Sequence, residues 1–231
     1  MLSYQQKQLL LFEKLEKQFK QAQTPTTLVI PSSNYVNDKR ICLTCVVFIP
    51  ENLQRLILKE IIKPLKNADP SQYYYLPQSL HLTIQNIRTI NLPPLFIDDD
   101  IEKVKTVFAQ IIPKYQAFEF NLEGLFELPT GISIRGFTSE VLGHLVMELR
   151  DNLKRVGFAD NKTYSSEIVF GNISVCRYYF KKPNLAFFRK VKELKKIKVG
   201  KMKIEAVSLI TANCVCHPNL TKILKEYNLL P

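Results

Sequence analysis

No stretch at the start of this sequence reads as a membrane span or an export signal. Met1 to Phe19 is interrupted by Gln5, Gln6, Lys7, Gln8, Glu13, Lys14, Glu16 and Lys17, which leaves no apolar run able to cross a bilayer or form an unbroken secretory core. Paired cysteine spacing is lacking too. Five cysteines, an odd number, sit among apolar neighbours at Cys42, Cys45, Cys176, Cys214 and Cys216, the pattern of reduced thiols and not of a disulfide framework. These absences lead to the expectation of a soluble, cytoplasmic protein that keeps away from membranes. Cys214-Val215-Cys216-His217 resembles a metal string, but no second spaced pair accompanies it, so neither a metal nor a cofactor is expected. Acids are scarce between Lys181 and Lys203, where Glu193 stands alone, and the whole chain balances 32 Lys and Arg against 21 Asp and Glu, a net +11. Such a run draws polyanions by neutralising phosphates, which makes RNA or nucleotides candidate partners. A solvated face would have the same composition.

What is present suffices for a core, at 231 residues and 46% hydrophobic content. Leu11, Phe12, Leu15, Phe19 and Ala22 recur at three- and four-residue intervals, so Ser3 to Ala22 reads as an amphipathic helix. Thr24 to Arg40, with Pro25, Pro31, Ser32, Ser33 and Asn34, has linker composition. Residues 1–39 are therefore read as an extension and 40–231 as the main domain. There the pattern predicts strands at Ile41–Ile49, Leu80–Ile87, Phe118–Leu122, Gly131–Phe137, Ile168–Tyr178 and Met202–Thr211. Helices are predicted after Pro50, over Asp100–Ile112, over Val141–Val156 with Gly157 as its stop, and over Asn184–Lys196. The mixed order implies an α/β or α+β protein with antiparallel pairs.

The string Ser79-Leu80-His81-Leu82-Thr83-Ile84 carries the chemistry. Two-residue spacing on a strand points the His81 imidazole and the Thr83 hydroxyl to one side, about 7 Å apart. An imidazole moves a proton near neutral pH and a hydroxyl donates to a phosphoryl oxygen, so the pair is half of a phosphodiester-cleaving site. A structural histidine beside a packing threonine is the common alternative. In the second half of the chain, Gly171-Asn172-Ile173-Ser174-Val175-Cys176-Arg177-Tyr178 forms a comparable strand.

From Arg40 to Pro231 the order of elements around these two strings resembles the 2H phosphoesterase superfamily, the 2′–5′ RNA ligase-like proteins and cyclic phosphodiesterases. That resemblance implies an α+β fold of two pseudo-symmetric lobes, each an antiparallel sheet with packed helices, around a central cleft. It implies one His-x-Thr/Ser motif per lobe, and here the second is degenerate: Asn172 stands where histidine is expected and Ser174 where the hydroxyl is expected, 91 residues after His81 (172 − 81). In the family one histidine acts as base and the other protonates the leaving oxygen of a cyclic or 2′–5′ phosphodiester. The expectation is thus His81 as the catalytic residue, with Thr83, Asn172 and Ser174 on the phosphate of an RNA end or nucleotide, and with impaired hydrolysis. A non-catalytic RNA- or nucleotide-binding protein is the alternative, and a scaffold using the N-terminal helix on a protein partner is a third. Tyr178, which shares strand parity with Ser174, Arg135 and Tyr75 are candidate substrate contacts. By the same parity Arg177 should point away from the cleft. His144 reads as a surface or packing residue, and a monomer is expected.

Overall fold

The computed structural model describes residues 2–23, 29–158, 165 and 168–231; Pro25 of the linker lies outside them. Within the described residues, six α-helices and nine strands follow in the order α1 (Tyr4–Lys20), β1 (Ile41–Phe48), α2 (Glu51–Ile57), α3 (Lys63–Ala68), β2 (Tyr73–Tyr74), β3 (His81–Asn91), α4 (Asp98–Ile111), β4 (Phe118–Leu128), β5 (Gly131–Phe137), α5 (Glu140–Arg155), β6 (Gly171–Arg177), α6 (Leu185–Glu193), β7 (Lys198–Ile204), β8 (Ala206–Ala212) and β9 (Lys222–Asn228). Local chemistry accounts for their ends. Ser3 and Gln6 form a reciprocal cap on α1, three aspartates at 98–100 face the positive end of α4, and Asn184 caps α6 through the Phe187 amide. Gly157, at φ +93, closes α5 by letting Phe158 N donate back to Leu153 O at 2.9 Å. A π-helical turn, Leu58–Ile62, joins α2 to α3 just before Pro64, which supplies no backbone N–H. Among the described residues no helix is long and apolar enough to cross a membrane.

The strands form an antiparallel sheet in the order β7-β4-β5-β6-β3-β1-β8-β9, with β2 beside β6. Its two halves, β7-β4-β5-β6 and β3-β1-β8-β9, meet at the centre through a single registered pair, Leu82 with Ile173. This is the α+β, two-halved architecture implied by the sequence resemblance. Met202–Thr211, read as one strand, is two: β7 pairs with β4 in one half, and after Glu205 the chain pairs as β8 with β1 in the other. Strand β9 was not legible, because Lys222, Ile223, Lys225, Glu226 and Asn228 are all exposed along it. It is an edge, and β7 is the opposite edge; lysines on both discourage pairing with another chain.

The two faces of the sheet differ. Leu82 and Ile84 of β3, Leu43 and Cys45 of β1, Ile132 and Ile134 of β5, and Ile173 and Val175 of β6 enter the main core, where Ile57, Phe108, Leu149 and Phe187 from the helices meet them. The alternate residues, among them His81, Thr83, Ser133, Asn172 and Ser174, lie on the other face. Helix α1 packs on that second face: Phe12 and Leu15 join Phe126, Phe137 and Phe170 in a separate cluster.

Candidate active site

Where β3 and β6 meet, the second face holds a cavity of about 410 Å³, lined by His81, Thr83, Asn172 and Ser174 together with Tyr75 and Arg177. All four motif positions therefore open into one space. Arg135 and Tyr178 do not line it. Arg135 pairs with Asn172 across the strands, but its guanidinium lies over Gly124, where a Cβ would overlap it, and against the Phe137 ring. Tyr178 is buried against Phe187 and Phe188 of α6, on the helix side of the sheet.

The expected parity of Arg177 and Tyr178 is reversed, and the cause is a bulge. Ile132 pairs with Cys176 while the next residue, Ser133, pairs with Ser174, so β6 carries one extra residue at Val175. An inserted residue shifts every later side chain to the other face. Arg177 is thereby turned into the cavity and Tyr178 out of it. No regular alternation in the sequence announces a bulge, and only the register with β5 reveals it.

Arg177 is half-buried and sets the electrostatics. Its Nε donates to the Tyr75 hydroxyl at 3.0 Å, and its terminal nitrogens make longer contacts to Ser174 Oγ at 3.4 Å and Thr130 Oγ1 at 3.5 Å. No carboxylate lies within 4.0 Å of it among the described residues. Arg40 and Arg150 also line the cavity, and no aspartate or glutamate does among the described residues. Arg40 is held by Asp38, whose carboxyl it keeps below the usual carboxylate range. Arg177 thus contributes an unneutralised, permanent positive charge. Burial pushes the Tyr75 hydroxyl up, against the pull of Arg177, so Tyr75 stays neutral and holds the guanidinium in place.

Ser133, which no pattern in the sequence singles out, links the second motif. It accepts from Asn172 Nδ2 at 3.2 Å and shares a hydrogen with Ser174 Oγ at 3.2 Å. Its role could be seen only once β5 was paired with β6.

His81 opens β3. Its Nδ1 lies 2.7 Å from Ser79 O, and a carbonyl only accepts, so in the neutral ring Nδ1 carries the hydrogen and Nε2 the lone pair. Nε2 faces Cys216 Sγ at 3.6 Å. Cys216 has φ +47, a left-handed backbone that a non-glycine residue adopts at some cost, and it lies next to the imidazole. Burial lowers the His81 pKa, the Ser79 carbonyl raises it and Arg177 lowers it, with a net fall. Burial raises the Cys216 thiol far above its ordinary value. The pair is therefore a neutral thiol donating to a neutral imidazole. The other thiol of the turn, Cys214, lies 3.5 Å from Asp38 Oδ2. His217 accepts from Asn219 N at 3.4 Å outside the cavity, and His144 is exposed on α5. Among the described residues no three His, Cys, Asp or Glu side chains group as metal ligands do.

The lysine run does not reach this space: no residue of 181–203 lines the cavity. Lys201 pairs with Glu119 and Lys203 with Glu205 on the edge strand, and Lys190 pairs with Glu193 on α6.

No family model matches the chain. Solved structures do. A phosphoesterase superposes with a TM-score of 0.60 at 12% identity, covering 83% of this chain and 99% of its own. The protein TT0787 of Thermus thermophilus gives 0.60 at 14% identity over 81% and 97%. E. coli LigT in complex with 3′-AMP gives 0.55 at 13% identity over 83% and 99%. At such identities the likeness is one of fold, and it is the fold of the 2H phosphoesterases.

Proposed function

We propose that this chain, built on the phosphoesterase fold, uses the cavity between β3 and β6 to bind the phosphate of a cyclic or 2′–5′ phosphoester and turns it over slowly. One observation carries the reading. A cavity with three arginines and, among the described residues, no acid brings Arg177, Ser174, Thr83 and His81 together, and a recessed guanidinium without a carboxylate gains most from an anion. E. coli LigT has been crystallised with phosphate and with 3′-AMP, which supports a phosphate ligand in this fold.

In the reaction, His81 Nε2 would take a proton from the attacking water while Arg177, Ser174 and Thr83 hold the phosphoryl oxygens. The leaving oxygen would then need a proton from the second motif, where the Asn172 amide has none to give. A positioned proton donor is worth roughly 10²–10⁴-fold in rate, so chemistry and not binding is the weak step. Engagement of Nε2 by the Cys216 thiol favours a second reading, a non-catalytic phosphoester-binding protein.

Turnover of 2′,3′-cyclic nucleotides by wild type and Asn172→His separates the two. An imidazole at 172 would keep a donor to Ser133 through Nδ1 and project Nε2 into the cavity. A rate raised about 10²-fold or more supports the phosphoesterase reading. Phosphate binding without turnover in either protein supports the binding reading. Turnover that survives His81→Ala would remove the site from consideration.

A further inference from the structure

We infer that the same cavity contains a second, apolar subsite, half of it built by the N-terminal segment, which takes a flat or hydrocarbon group carried by the phosphoester. This rests on the phosphoester reading above. Helix α1 is the described helix that packs on the cavity face of the sheet, and it is firmly placed there. Phe12 meets Phe170, Phe126 and Phe137 with ring centroids 4.0, 5.0 and 5.4 Å away. The buried amide of Gln8 donates to Val169 O at 2.6 Å and accepts from Thr138 N at 3.0 Å. Two turns further, Glu16 accepts from Glu127 N at 3.3 Å and binds Lys195.

A helix docked in this way presents its last turns to the cavity. Leu15 and Phe19 line it, Ile30 follows from the segment after the helix, and Phe126, Leu128 and Phe170 complete the wall. None of these six side chains has a hydrogen-bond donor or acceptor. Such a wall cannot read a polar edge, and a second phosphate laid against it would lose its hydration without compensation. What it can recognise is apolar area or the face of a ring. Arginine side chains and an apolar wall lining one space of about 410 Å³ fit one small phosphoester with a single aryl or base-like group better than a strand with a phosphate on every unit.

The probes are inorganic phosphate, glycerol 2-phosphate and phenyl phosphate, titrated calorimetrically into the full chain. Phenyl phosphate should bind about tenfold or more tightly than glycerol 2-phosphate, the effect of burying most of one ring. Phe19→Ala should lower the ratio of phenyl phosphate to inorganic phosphate affinity several-fold. Because the sequence contains no tryptophan, Phe19→Trp places a single indole in the wall, and 4-nitrophenyl phosphate should quench it while glycerol 2-phosphate does not. Equal affinity for phenyl and glycerol phosphates, or no quenching of Trp emission, overturns the apolar subsite while leaving the phosphate site standing. Absence of inorganic phosphate binding, with Arg177→Met behaving as wild type, removes the phosphate site and this inference with it.

Discussion

Replacing Arg177 by methionine distinguishes an anion-binding arginine from a structural one, because the two predict opposite effects on stability. Methionine keeps most of the apolar stem and removes the charge. In the anion-free protein the guanidinium is half-buried with no carboxylate within 4.0 Å among the described residues, and its one short hydrogen bond is to Tyr75 at 3.0 Å. Losing that bond leaves the Tyr75 hydroxyl without its donor, a cost of about 1–3 kcal/mol. Removing a recessed, unneutralised charge recovers desolvation energy of several kcal/mol in the opposite direction. The two nearly offset, so the Tm of Arg177→Met without anion should equal or exceed that of wild type. Binding should move the other way. A hydrogen bond to a charged group is worth about 1.5–3 kcal/mol, so losing one or two should weaken sulfate binding by roughly 10- to 100-fold or more. Calorimetric titration with sulfate, beside thermal unfolding with and without it, reads both. Sulfate affinity equal to wild type, or a marked fall in Tm without anion, would show that Arg177 serves the fold and refute the argument.

Further outcomes attach to individual residues. Since the folded-state pKa of His81 is depressed, the ring is neutral at pH 7 and an anion beside it favours its protonated form; sulfate, which does not titrate here, should bind more tightly as pH falls from about 7.5 to 5.5, and His81→Ala should flatten that dependence. By the same linkage the neutral ring's contribution to stability, full above about pH 6.5, should decline as pH falls through the lower folded value, a slope that unfolding in urea at several pH values would detect and His81→Ala should lack. Gly124→Ala, which sets a Cβ against the Arg135 guanidinium at a backbone φ of +73, should destabilise the fold by about 1–3 kcal/mol, measured by denaturant unfolding. Neutralising Lys198, Lys201 and Lys203 together should leave sulfate affinity within about twofold of wild type, because these side chains lie on the edge strand away from the cavity.

The parts of the molecule legible in the sequence are those governed by period. The start of β3 and helices α4 and α5 repeat cleanly, and Leu80, Leu82 and Ile84, then Val104, Val107, Phe108 and Ile111, then Leu142, Val146, Leu149 and Leu153 enter the core as their spacing implies. His81 and Thr83 could be located because two-residue spacing on a regular strand fixes their direction. The bulge at Val175 reversed Arg177 and Tyr178 because one added residue changes parity without leaving a compositional mark. Ser133 and Cys216 were missed for a different reason. Their importance comes from a neighbour distant in sequence, Ser174 for one and His81 for the other, and only the strand pairing and the path of the C-terminal turn create those contacts.

The same contacts bear on whether the cavity is better suited to holding a phosphate or to cleaving its ester. Arg177, Ser174, Ser133 and Tyr75 form a connected set of donors that exists before any ligand arrives, so little ordering is needed for binding. The proton-transfer side is set differently. Burial and Arg177 both lower the basicity of His81, and Cys216 occupies its lone pair. Protonation of the ring would break that thiol contact and add a second positive charge to a cavity without acids among the described residues, which an anion offsets and an empty site does not. Phosphate entry thus raises the basicity of His81, and the sulfate titration against pH should show fractional proton uptake, small at about pH 7.5, where the ring must stay neutral to act as a base, and rising toward one proton per anion at about pH 5.5, when buffers of differing ionisation enthalpy are compared. Uptake near zero across the range from about pH 7.5 to 5.5 would mean that the bound anion does not raise the proton affinity of His81, and uptake of a full proton already at about pH 7.5 would leave the ring without the lone pair that a base needs.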